Sequence, residues 1–141
     1  MINDRYVLTA AHCVRGFMWF MIKVTFGEHD RCAENNKPES RFVLRAIVQD
    51  FTFLNFDNDI ALLRLNDRVP ITPTIKPVCL PQKATGELYV GRTGTAAGWG
   101  TTHEEGKPSC ILRDVDVPVM SNEDCRKTNY TEAMITDNMM C

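Results

Sequence analysis

The sequence predicts an all-β protein organised in two parts, and three observations carry that expectation. Aliphatic and β-branched runs of strand length lie between polar or proline-bearing segments, as in Arg41-Phe42-Val43-Leu44-Arg45-Ala46-Ile47-Val48 and in Asp59 to Leu65. Val115, Val117 and Val119 alternate with Asp114, Asp116 and Pro118, the period of two expected of a half-buried strand. No segment carries the periodicity of a long amphipathic helix, and there are no internal repeats or low-complexity tracts.

Taken in order, the run Ile60, Ala61, Leu62, Leu63 and Leu65 is expected to be largely buried. Pro70, Pro73, Pro77 and Pro81 then follow one another too closely for a helix or a central strand, so this stretch is expected to be an extended connector between the two parts. Thr95-Ala96-Ala97-Gly98-Trp99-Gly100 suits a strand that ends in a tight backbone approach. Ser121-Asn122-Glu123-Asp124 approximates a capping box, with Ser121 as N-cap of a short polar helix.

Composition excludes several function classes. With 44% hydrophobic and 24% charged residues the chain is globular rather than disordered. Its 16 basic residues are dispersed among 18 acidic ones, for a net charge of −2, so the sequence displays no footprint for nucleic acid or for an anionic membrane. The most apolar stretch, Phe17 to Ile22, is far too short to span a bilayer. It is not a signal peptide either, since Asp4, His12 and Cys13 precede it and no small-residue cleavage site follows, so any export signal is expected upstream. Six cysteines point to an oxidising compartment, and Asn129-Tyr130-Thr131 is an N-glycosylation sequon of the same environment. His12-Cys13 and His29-x-x-Cys32 lack the paired spacing of structural zinc sites. Six thiols allow fifteen complete pairings, and spacing does not choose among them.

Two motifs carry chemistry: Leu8-Thr9-Ala10-Ala11-His12-Cys13 and, after a strand-rich stretch, Asp57-Asn58-Asp59-Ile60-Ala61-Leu62-Leu63. Asp59 leads an apolar run, so its carboxylate needs a donor, and an imidazole N–H is one. A carboxylate bonded to one ring nitrogen fixes the tautomer and leaves the other nitrogen free to take a proton from a hydroxyl nucleophile. Asp57, two residues earlier, is expected to point the other way along an extended chain. In this order the motifs resemble those of the trypsin-like (chymotrypsin-family) serine peptidases, where such a His is general base and such an Asp orients it. The resemblance implies His12 and Asp59 in those roles, and a nucleophilic Ser in a Gly-Asp-Ser-Gly-Gly segment. Here the serines are Ser40, Ser109 and Ser121, none flanked by the glycines that turn amides toward an oxyanion. Loss of the nucleophile costs about 10⁶ in turnover, so these residues alone are expected to be inactive.

The resemblance further implies a two-barrel chymotrypsin/trypsin-like fold truncated at both ends, with residues 1–82 an incomplete N-terminal barrel and 83–141 the first part of the C-terminal one. Missing strands are expected to leave unpaired edges and exposed apolar faces. By the same resemblance Cys125 pairs with Cys141, Cys13 pairs with an absent partner, and Cys79 tethers the domain to an N-terminal pro-region, as in a zymogen. Cys32 and Cys110 fall in loops that lie side by side in the family fold; their pairing resembles additions in clip-domain proteases. Glu28, Asp30, Glu34 and Glu39 occupy a loop similar to the calcium-binding loop of trypsins, Glu28, Asp30 and Glu39 being the expected ligands; no cofactor is otherwise required. Phe56 matches a position that walls substrate subsites, and Thr101 to Pro108, with His103, resembles an exposed loop open to self-cleavage. The implied function is a secreted endopeptidase acting on protein or peptide substrates and met by serpin-type inhibitors. The alternative is a non-catalytic homologue acting as a cofactor or binding module.

Overall fold

Antiparallel pairing of short aliphatic strands organises the chain, for which a computed structural model describes residues 1–16, 18–81 and 89–141. The expected boundary between residues 82 and 83, and Phe17, lie outside the described residues. Among those residues the strands are β1 (Tyr6–Thr9), β2 (Lys23–Phe26), β3 (Glu39–Val48), β4 (Ala61–Leu65), β5 (Thr93–Gly98) and β6 (Arg113–Pro118), followed by the helix α1 (Asn122–Arg126). The first four form one sheet in the order β1-β4-β3-β2, and β5 pairs with β6. The class is all-β, as the strand runs predict.

Alternation along the strands divides the four-stranded sheet into two faces. Val7, Val24, Phe26, Val43, Ala46, Ala61, Leu63 and Leu65 point inward, into two adjoining clusters built on Leu63 and Leu65, with Val7 and Val24 packed against both. Leu65 is fully buried. A register shift between Val43 and Arg45 in β3 keeps the inward set in phase with β4 on both sides of it. Gly27 ends β2 at φ +70, and a Cβ there would lie 3.3 Å from Ile75, so this turn needs glycine for both conformation and space. The connector is not extended throughout, as its prolines predict it to be: Thr72 and Ile75 exchange backbone hydrogen bonds across a tight turn, and Val69 and Ile75 are buried in the second cluster.

Two further expectations need correction. Ile60 is 56% exposed, because strand pairing begins only at Ala61 and the turn before it faces outward. The alternating strand at 113–118 is exposed on both faces, with Val115 at 58%, because β6 pairs with β5 and no other described element covers its valines. Its alternation is real, and the cover that would bury one face is not supplied by the described residues.

Candidate active site

The site is assembled from two turns. After β1 the chain enters a single 3-10 turn, Ala11–Cys13, whose N-cap residue, Ala10, offers no capping side chain. An unpaired amide at such a start needs an acceptor. Asp59 provides it: Oδ1 accepts the backbone N–H of His12 at 2.8 Å. The other oxygen, Oδ2, lies 2.7 Å from His12 Nδ1. One carboxylate thus holds both backbone and ring of a single residue 47 positions away.

The loop before β4 aims that carboxylate. Phe56 and Asn58 take φ +59 and +55, and the chain folds back so that Ile60 N–H donates to Asn58 O at 2.7 Å. Asparagine tolerates the left-handed region, whereas a bulky aromatic there is uncommon and marks stored strain. The chain between Asp57 and Asp59 is therefore a turn rather than an extended segment. Asp57 does point away from His12, as expected, and its Oδ1 accepts from Thr136 Oγ1 and from Asn138 Nδ2 at 3.1 Å. With Asn55 Nδ2 donating to Ala133 O, this ties the loop to the segment after α1.

Electrostatics favour the ionised carboxylate. Partial burial pushes the Asp59 carboxyl up, but the His12 amide and ring, its charge, and the Ala11 backbone more than offset this and hold it below its ordinary 3.8. An ionised carboxylate can only accept, so Nδ1 carries a hydrogen, and in the neutral ring Nε2 presents the lone pair. Nε2 lies 3.4 Å from Cys13 Sγ, a weak partner that a hydroxyl outcompetes. The same logic operates at Asp57, whose carboxyl is lowered chiefly by the Thr136 and Asn138 hydrogen bonds.

Phe56 stands edge-on to the His12 ring, centroids 5.7 Å apart, and rests on Phe51 at 6.0 Å. Phe51 is buried and meets Phe53 at 4.7 Å, so the aromatic beside the imidazole is backed by two others that the sequence reading did not single out. Their spacing 51, 53, 56 was the available signal. An open groove of about 500 Å³ runs past this wall, lined by Leu8, Phe56, Asp59, Ile60, Asn138 and Met139.

The remaining predicted positions are placed as follows. Cys32 and Cys110 are joined, their Cα atoms 5.4 Å apart, and so are Cys125 and Cys141 at 6.3 Å. Cys13 and Cys79 are exposed and form no disulfide among the described residues. Ser121 caps α1, accepting the Asp124 amide at 3.0 Å. Asn129 and His103 are exposed. Three carboxylates of the acidic loop have protein hydrogen-bond partners. Glu28 accepts from the His29 amide and from Asn36, Asp30 from the Cys32 amide, and Glu39 from Arg41. The one close grouping of such side chains among the described residues that includes any of them joins Asp30 to two sulfurs already bonded to each other, and Glu34 is exposed. No described helix is long and apolar enough to cross a membrane.

Known proteins match the chain over its whole length. The family model described as Trypsin matches residues 1–141. Granzyme M of Rattus norvegicus is 30% identical over 141 residues, covering the whole chain and 54% of that protein. The venom serine protease of Polistes dominula is 30% identical over all of this chain and 52% of its own length. The proclotting enzyme of Tachypleus tridentatus is 32% identical over all of this chain and 40% of its own length. The chain thus spans about half, or less, of the curated relatives it matches.

Proposed function

Because the chain belongs to the trypsin family over its whole length, we propose that it carries the base and its orienting carboxylate for a secreted serine endopeptidase whose nucleophile lies outside these 141 residues. The single observation that supports this most is the double grip of Asp59 on the amide and the Nδ1 of His12, which leaves Nε2 as the proton acceptor.

In that role a serine hydroxyl attacks the scissile carbonyl carbon while its proton passes to His12 Nε2. The imidazolium so formed is stabilised by Asp59, kept ionised by the bonds above. The proton then goes to the leaving amine, and water, deprotonated by the same nitrogen, releases the acyl group. Phe56 walls a substrate subsite, a reading supported by its strained backbone and its place against the His12 ring. Residues 1–82 and 83–141 belong to successive barrels. Cys13 pairs within the first barrel and Cys79 with a pro-region, and Asn129 carries the glycan. An inhibitor of the serpin type would present its loop to the same groove.

The test uses the protein expressed with its flanking coding sequence. A fluorophosphonate probe should label one serine in the wild type, and His12→Ala should reduce labelling and turnover by about 10⁶ in rate. Equal labelling of wild type and variant sinks the assignment of His12. No labelling of either, in a protein that folds, sinks the peptidase reading in favour of a binding module.

A further inference from the structure

Sheet topology gathers cations that the sequence disperses. The outward residues of β1 to β4 include Tyr6 and Leu8, Leu62 and Arg64, Ser40, Phe42, Leu44, Arg45 and Ile47, and Lys23 and Thr25. Three of these are cations and none is a carboxylate, although acidic residues outnumber basic ones in the chain as a whole. Arg45 and Arg64 are register partners on adjacent strands, and Tyr6 flanks Arg64 on its other side. Like charges directly opposite each other on one face repel, and nothing described offsets this pair. Neither arginine nor Lys23 has an ion-pair partner among the described residues, and Arg64 Nε is buried without a hydrogen bond.

The cations are interleaved with exposed apolar side chains. Phe42, the register partner of Lys23, is 52% exposed, and Leu8 and Ile47 lie open on either side of Leu62. A polyanion without apolar groups would leave these side chains in water. We propose that this outer face docks an acidic polypeptide segment in which carboxylates alternate with apolar side chains. One carboxylate would sit between Arg45 and Arg64, a second on Lys23, and apolar groups would cover Phe42, Ile47 and Leu8. The arrangement follows from charge and apolar complementarity. It lies on the face opposite the inward core, draws on neither His12 nor Asp59, and meets the groove beside them only at Leu8.

The experiment titrates the full chain with a fluorescein-labelled peptide of repeating aspartate, phenylalanine, glutamate and isoleucine. Fluorescence anisotropy is read at low and at physiological salt, beside the amide counterpart peptide, heparin and phosphatidylserine vesicles. The acidic peptide should bind, its affinity should weaken with salt, and Lys23→Gln/Arg45→Gln/Arg64→Gln should weaken it by about tenfold or more. If the triple variant does not unfold cooperatively, Arg45→Gln, at an exposed position, is read in its place and should weaken binding by about threefold. Unchanged affinity in the variant that folds overturns the proposal. Binding of heparin or vesicles without the acidic peptide, or equal binding of the amide peptide, overturns it as well.

Discussion

Asp59→Asn tests the central pair most directly, because it keeps the shape of the side chain and removes its charge. Two hydrogen bonds are affected, from the His12 amide at 2.8 Å and from Nδ1 at 2.7 Å. A bond to a charged acceptor contributes about 1 kcal/mol more than a neutral one, so the pair is worth about 2 kcal/mol before screening. The His12 side chain is 47% exposed and that of Asp59 23%, which discounts the ring contact and leaves about 1–2 kcal/mol. The sign of the pH dependence follows from the lowered carboxyl. Its contribution is complete above the ordinary 3.8 and is lost as pH falls through the lower folded value. Urea unfolding of wild type and variant from neutral pH downward should therefore show a difference that shrinks only on the acid side. A difference that is constant, or that grows on acidification, refutes the claim that an ionised Asp59 is the anchor. Under the proposed peptidase reading the amide should also present N–H to Nδ1, shift the ring hydrogen to Nε2, and lower turnover by about 10⁴.

Further outcomes follow from packing and covalent topology. Leu65→Ala, at the fully buried core position, should cost about 3 kcal/mol in urea unfolding, while Val115→Ala on the exposed β6 should cost no more than about 0.5. Cys32→Ser with Cys110→Ser removes a bridge across a sequence separation of 78, worth about 4.5 kcal/mol on a loop-closure estimate; unreduced peptide mapping should recover the wild-type pair as one linked fragment. Asp57→Ala removes the acceptor of Thr136 and Asn138, so amide exchange should speed up over 133–138 while Leu63 and Leu65 stay protected. Equal protection of the 133–138 segment in wild type and variant would show that the tie is not what holds it.

Local pattern was enough for much of this protein. Aliphatic and β-branched runs marked β3 and β4, closely spaced prolines marked the connector, and a serine three residues before Asp124 marked the cap of α1, because each signal is written within a few residues. The chemistry of His12 and Asp59 was legible from residue types and order. Their contact was not, since 47 positions separate them and only the turn through Phe56 and Asn58 swings the carboxylate onto the imidazole. Asp57 illustrates the limit more sharply: its partners lie about 80 residues away, and nothing near it in sequence names them. Burial was decided in the same way. The valines of β6 alternate as a half-buried strand should, yet alternation specifies only which side chains share a face, and whether that face is covered depends on other elements. Arg45 and Arg64 became neighbours for a related reason, because antiparallel register sets distant charges side by side. Sequence by itself determined the strand periods, the caps and the residue types of the candidate site, all of them properties of neighbouring residues. Tertiary structure alone decided which carboxylate reached which donor, which faces were buried and which charges met, because those depend on contacts between segments far apart along the chain.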